Sequence, residues 1–300
     1  MRKPAALFAV SAAAIMWAAS GTAAQHFFAH SDRSAMELSN IRMILAGLLL
    51  LAVAWQSRGL SRGWKILLEK PRLWLDITLY AAVAIFLVQY TYFQGIAVGG
   101  AAATTVICYT CPAMVICWNS FAGRRLPKLS EALAVIMAII GIVLLVTGGD
   151  LERLSVPLAC IAWSLASGAC FAFSAIYPRH LLLTFDPYFL LAAGMLIGGI
   201  ASSAFVSSLD WRPFFVPEVA FDIVYIIVGG TAMAFLLFNA GLLYLSPEQA
   251  TVTATVEPAA SVLLASAVFG TRFGAVELLG VALVLTAILL PVLPMGKDST

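Results

Sequence analysis

A chain of 300 residues that is 62% hydrophobic and only 11% charged departs from soluble domains, where about half the residues are apolar and about a quarter charged. Its formal net charge of +2 is too small to point to nucleic acid. Apolar runs of roughly 20 residues recur along its whole length, each able to cross a hydrocarbon core of about 30 Å as a helix. The composition predicts a polytopic membrane protein.

Ten spans are expected, at roughly 5–24, 36–55, 74–94, 98–120, 130–148, 156–176, 187–207, 219–241, 248–269 and 274–294. Only helices and closed barrels satisfy their backbone groups in lipid. Barrel strands would read as alternating segments of about ten residues, and the sequence holds no such series. The fold class is therefore all-α. The longest polar links, 56–73 and 208–218, leave no room for a soluble domain. Span one begins with Arg2 and Lys3 and ends near "GTAAQ", which resembles a signal peptide with its cleavage site. The internal repeat described below argues for keeping it.

Lysine and arginine set orientation through their excess on the cytoplasmic side. With both termini inside, that side receives Arg2, Lys3, Arg58, Arg62, Lys65, Lys70, Arg72, Arg124, Arg125, Lys128, Arg179 and Lys297, which is 12 of the 17. The outer side receives Arg33, Arg42, Arg153, Arg212 and Arg272. The bias predicts a multi-pass protein of the cell (inner) membrane with cytoplasmic termini.

A shift of 146 positions lays the middle of the chain on its end. Gly95 then meets Gly241, Thr105 meets Thr251, Pro112 meets Pro258 and Glu131 meets Glu277, with no gap. Two halves, 1–150 and 151–300, follow, each with five spans. An odd number of spans inverts the second half, which places a pseudo-twofold axis in the membrane plane. Such halves can exchange packings, so the pattern predicts alternating access to a site near the midplane.

The stretch "TATVEPAAS" at 253–261 sets Glu257 and Pro258 deep in span nine. A charge at the centre of a span costs roughly 2.5–3.5 kcal/mol on insertion scales and usually faces the bundle interior. Thr253, Glu257, Ser261 and Ala265 share one helix face. Glu257 is read either as a cavity acid for a substrate cation or proton, or as a structural partner for Arg42 or for a polar side chain on another helix. Pro258 removes the amide partner of the Ala254 carbonyl, and Pro112 does the same to Cys108. A substrate ammonium or a water could take up that carbonyl, and both prolines are hinge candidates. Gln89, Tyr90, Tyr109, Trp163, Thr253 and Asn239 are further candidates for lining the cavity, beside Trp17, Tyr92, Gln94 and Tyr244. A buried amide needs a partner. His26 and His30 lie in or near an outer loop without a third ligand. "CYTC" at 108–111 lacks the context of a redox or metal pair. No metal site, cofactor motif or nucleophile motif is expected.

The segment "AFLLFNAGLLYLSPEQATVTATVEPAASVLLASAVFG" at 234–270, with "QYTYFQGIAVGGAAATTVICYTCPAM" at 89–114 and "NIRMILAGLLLL" at 40–51, resembles the drug/metabolite transporter superfamily in its EamA-type branch. The resemblance covers nearly the whole chain and implies ten helices, cytoplasmic termini and transport of small metabolites. It departs at the ends of spans four and nine. Gly-Glu is common there in the family, and this chain has "GRR" at 123–125 and "GTRF" at 270–273. The expectation is a secondary transporter, an exporter of amino acids or amines in the first instance, with an uptake permease as alternative. A non-transporting sensor and an intramembrane enzyme are the rivals from other classes. A small organic substrate, the lipid bilayer and protons are the partners considered, and the sequence leaves the oligomeric state open.

Overall fold

The computed structural model describes residues 3–124, 126–150, 153–206, 212, 216–242, 244–245 and 253–290. Among these residues the regular structure is helical throughout. The apolar helices are α1 (Lys3–His30), α2 (Ala35–Gln56), α3 (Leu73–Gly99), α4 (Ala101–Ala122), α5 (Leu129–Thr147), α6 (Leu158–Ile176), α7 (Pro187–Phe205), α8, α9 (Val256–Phe269) and α10 (Ala275–Leu289). Helix α8 runs through Pro217–Val224, a π-helical Tyr225–Met233 and Ala234–Leu242. Seven of these are long and apolar enough to cross a membrane, while α6, α9 and α10 hold shorter apolar helices among the described residues. Helix α1 continues beyond its expected end at 24, so His26 and His30 stand on the helix and not in a loop.

Local chemistry sets the helix starts. Ser34 caps α2: its Oγ accepts from the Glu37 amide at 3.2 Å, and Glu37 accepts from the Ser34 amide at 2.8 Å, a capping box. Glu131 accepts from the Lys128 amide at 2.9 Å at the start of α5. Glu277 accepts from the Gly274 amide at 2.7 Å at the start of α10. These two acids are the pair aligned by the 146-residue shift, and they do the same work.

Other irregularities follow the same shift. Helix α3 is π-helical over Tyr80–Leu87 and α8 over Tyr225–Met233. Helix α4 is interrupted at Tyr109 and Thr110, and a turn at Thr255 precedes α9. The expected proline kinks are corrected here. Pro112 and Pro258 lie in the first turn of the segment that follows each interruption, where a missing amide has no helical partner to lose. Glu257 is accordingly the second residue of α9 and not the centre of a continuous helix.

Helix α1 packs on α8 and α9, and α6 packs on α3 and α4. Helix α2 packs on α7, and α5 on α10. In the last pair glycines let the backbones touch. A Cβ on Gly141 would lie 2.7 Å from the Gly280 carbonyl oxygen, and one on Gly280 would lie 2.6 Å from that of Gly141. The opposite face of α5 leaves Ile136, Ile139, Ile140 and Val143 exposed, as a lipid-facing stripe should be. Between α2 and α3 an amphipathic helix, Gly59–Glu69, buries Gly59, Gly63 and Leu67. A Cβ on Gly63 would fall 2.5 Å from the Phe189 ring at the start of α7.

Candidate functional site

The interrupted helices meet at one place. Tyr109, at the end of the first part of α4, donates to Glu257 Oε2 at 2.8 Å. Its oxygen also lies 3.2 Å from the carbonyl of Ala254, just ahead of the turn at Thr255. The donor that the sequence assigns to a substrate or a water is thus a side chain of the protein. Thr105, one turn earlier, contacts the Tyr92 hydroxyl at 2.7 Å and accepts from Ser261 Oγ at 3.4 Å. Helices α3, α4 and α9 are joined through it.

Arg42 enters from α2. It is 7% exposed. Its Nε donates to Thr231 Oγ1 at 2.7 Å, and its guanidinium lies 5.0 Å from the centroid of Phe93, within cation–π range. Thr231 in turn donates to the Ile226 carbonyl at 2.7 Å, five residues back. The π-helical stretch therefore places the oxygen that holds Arg42. No ion pair joins Arg42 to Glu257 among the described residues. The polar side chain from another helix that does bond Glu257 is Tyr109 of α4.

Both groups line one cavity of about 340 Å³. Trp17 and Ser20 of α1, Gln89 and Tyr92 of α3, Tyr109 of α4, Phe171 of α6, and Phe235 and Phe238 of α8 contribute to its wall. Gln89 donates to the Ile85 carbonyl at 3.3 Å, while its Oε1 is buried without a partner, as is Ser20 Oγ, among the described residues. Trp17 packs on Phe235 and Phe238 with centroid separations of 5.3 and 5.2 Å. The wall is thus aromatic on one side. Into it face a guanidinium bonded through Nε alone among the described residues, a carboxyl group with one donor, and an open amide oxygen.

The cavity extends to Pro178, Leu182 and Pro187 at the connection between α6 and α7. The opposite end of the bundle is tied across helices. His26 Nδ1 lies 2.6 Å from Asp222 Oδ2, joining α1 to α8. Gln25 Oε1 accepts from the Ala101 amide at 2.7 Å, joining α1 to α4.

Of the residues singled out in the sequence, Glu257, Gln89, Tyr109, Arg42, Trp17 and Tyr92 meet in this cavity. Tyr90 and Trp163 are not among its lining. Their rings pack edge to face at 5.8 Å between α3 and α6, and Tyr90 accepts from Gln94 at 3.0 Å. Thr253 lies one turn ahead of Glu257, also outside the lining. The side chain of Asn239 lies outside the described residues. Ser20, Phe235, Phe238 and Thr231 carry no sequence signal of their own. The only clue to them is that they fall on helices whose other faces are uniformly apolar.

A family model described as the EamA-like transporter family matches residues 4–147 and 158–293. YicL of Salmonella typhimurium, named as an inner membrane transporter, is 28% identical over 280 residues, covering 93% of this chain and 92% of the relative. YedA of Escherichia coli K12, also named as an inner membrane transporter, is 26% identical over 271 residues, covering 87% and 81%. One solved crystal structure superposes over 97% of both chains with a TM-score of 0.64 at 15% identity, a likeness of fold.

Proposed function

The chain belongs to the EamA-like transporter family and is a membrane transporter; from that premise we propose that it exports small organic metabolites bearing an ammonium group, such as amino acids or amines, by alternating access. The observation that carries this reading is the pairing of Glu257 with the open Oε1 of Gln89 in one cavity. Both are acceptors for an ammonium. Arg42 offers donors for a carboxylate in the same space, and the aromatic wall suits an apolar body. Buried polar groups with open positions are costly until a ligand fills them.

The reading includes ten spans in two inverted halves, 1–150 and 151–300, with both termini cytoplasmic. Its support is the recurrence at one offset of the π-helical stretches, the interruptions and the capping glutamates. The helix pairs also exchange under that offset: α1 with α8 and α9 becomes α6 with α3 and α4. On this topology the α6–α7 connection is cytoplasmic. The cavity then faces inward, and the His26–Asp222 and Gln25–Ala101 contacts close the outer end.

Protons enter the reading through Tyr109. An ionised Glu257 accepts its hydroxyl proton. A protonated Glu257 can donate to the Tyr109 oxygen and leave the phenol proton for the Ala254 carbonyl, 3.2 Å away. Protonation moves one hydrogen bond onto the interruption ahead of α9, and exchange of the proton for a substrate ammonium moves it back. The test is a comparison of amine and amino-acid levels inside and outside cells carrying the wild type or Glu257→Gln. Export predicts lower internal levels with the wild type alone. Higher internal levels would make it an uptake system, and no change in any solute would sink the transport assignment to this cavity.

A further inference from the structure

The amphipathic helix Gly59–Glu69 presents a second, separate feature. Arg58, Arg62 and Lys65 line one groove of about 600 Å³ against the turn 183–186. No acidic side chain pairs with any of them among the described residues. Asp186, the acid at the groove wall, turns its Oδ1 to the amides of Tyr188 and Phe189 at 3.0 and 3.2 Å, where it caps α7. Three cations thus converge on one space, and no described acid neutralises them.

A second hollow adjoins the first and shares Arg58 and Ser61 with it. Its wall is of another kind: Trp55, Leu60 and Trp64. Trp55 is 74% exposed and Leu68, just beyond, is 78% exposed. Trp64 packs against Trp74 at the base of α3 with centroids 5.7 Å apart. Tryptophans beside lysine and arginine mark the boundary between headgroups and acyl chains. A free anion would fill the basic groove and have no use for the apolar one. A phospholipid fills both.

We propose that this joined groove is a binding site for an anionic phospholipid, its phosphate held by Arg58, Arg62 and Lys65 and the start of one acyl chain laid on Trp55 and Trp64. Basic side chains at a membrane surface each attract acidic lipid appreciably, and guanidiniums match phosphate geometry in pairs. The site is firmly mounted. Gly59 and Gly63 lie so close to Asp186 and Phe189 that no Cβ fits at either. A bound headgroup would therefore bridge the surface helix and the turn 183–186, next to the cavity residues Pro187 and Leu191.

Purified protein in mild detergent is titrated with dioleoyl phosphatidylglycerol or dioleoyl phosphatidylcholine, and retained lipid is counted by native mass spectrometry. The wild type should retain phosphatidylglycerol at roughly tenfold lower lipid concentration than phosphatidylcholine. Arg58→Gln/Arg62→Gln/Lys65→Gln should abolish the preference, and Lys70→Gln/Arg72→Gln/Arg124→Gln, on the same side but outside the groove, should keep it. Equal retention of the two lipids by the wild type would overturn the proposal. So would equal loss in both triple variants, which would mean diffuse surface charge. Trp55→Ala/Trp64→Ala should weaken retention as well. If it does not, and millimolar inorganic phosphate displaces the lipid, the groove takes a free anion and the lipid assignment fails. Arg62→Gln alone, expected to give a partial loss, provides the reading if the triple variant does not fold. None of these measurements needs a transported substrate, so the outcome is independent of the transport reading.

Discussion

Tyr109 and Glu257 meet at 2.8 Å across two interrupted helices related by the 146-residue shift. The contact ties the hydroxyl that reaches the carbonyl ahead of Pro258 to a carboxylate in the cavity wall. Removing either partner should therefore cost the same function. A hydrogen bond to a charged group contributes about 1.5–3 kcal/mol, so Tyr109→Phe and Glu257→Gln are each expected to lower transport roughly ten- to a hundredfold. The double variant should be no worse than the poorer single one, because coupled residues are not additive. Initial rates in liposomes, with folded yield recorded for each variant, make the comparison. Additive losses would show that the two side chains act separately.

Arg42 is expected to matter first for folding. Its Nε bond to Thr231 fixes α2 against the π-helical part of α8, and Phe93 covers the guanidinium. Arg42→Ala should lower the thermal midpoint in detergent. Thr231→Val, which leaves a buried guanidinium nitrogen without its acceptor, should do so to a similar extent, on the order of 1–3 kcal/mol. Arg42→Lys keeps the charge but not the planar fork, and should recover only part of the loss. An unchanged midpoint in Thr231→Val would mean that the hydrogen bond carries no stability.

These residues also show how far the sequence can be read. Glu257 stands out because a carboxylate in an apolar run needs a reason, and the 146-residue shift stands out because Gly, Pro and Glu recur rarely by chance in such a chain. Tyr109 is a candidate from sequence, but its partner lies 148 positions away, and no local spacing encodes that contact. Tyr90 and Trp163 lie outside the cavity lining, and an aromatic ring in a helical bundle looks the same in sequence whether it lines a cavity or packs on a neighbour. The prolines suggest kinks in continuous helices. What the structure has are interruptions followed by prolines in first turns, and the interruption itself has no residue signature. The π-helical stretches are equally silent, since "YAAVAIFL" and "YIIVGGTAM" have ordinary apolar composition.

The α5–α10 contact should be intolerant of any side chain. A Cβ on Gly141 or Gly280 would sit 2.6–2.7 Å from a backbone oxygen of the other helix, and backbone cannot rotate away. Gly141→Ala and Gly280→Ala are each expected to destabilise by about 1–3 kcal/mol, the usual range for overpacking. Gly270 is the control. It has φ of 64° but nothing within 4 Å of where a Cβ would stand, so Gly270→Ala should cost only the left-handed backbone penalty, about 1–2 kcal/mol, and leave helix packing intact. Thermal unfolding records each loss, and cross-linking of cysteines placed on α5 and α10 distinguishes loss of packing from backbone strain. If the packing of α5 on α10 survives Gly141→Ala and Gly280→Ala unchanged, the close approach is not required.

The last prediction concerns the end of the bundle opposite the cavity mouth. His26 and Asp222 approach to 2.6 Å and join α1 to α8, which on the proposed topology would have to separate for the outer side to open. A contact this short between an imidazole and a carboxylate is a charge-assisted hydrogen bond when the ring is neutral, and an ion pair as well when the ring is protonated. Either way it holds α1 against α8. Asp222→Asn keeps the size and removes the charge, so it should shift the protein toward an outward-open arrangement without unfolding it. Thr22 lies one turn before His26 on α1 and is buried, which makes it a reporter. In a background lacking the exposed Cys117, Thr22→Cys should react slowly with a membrane-impermeant maleimide added from outside. Adding Asp222→Asn should speed that reaction several-fold, and His26→Gln should do likewise. Reactivity from outside that is already high in the parent, or that is unmoved by both substitutions, would show that the His26–Asp222 contact does not hold this end shut.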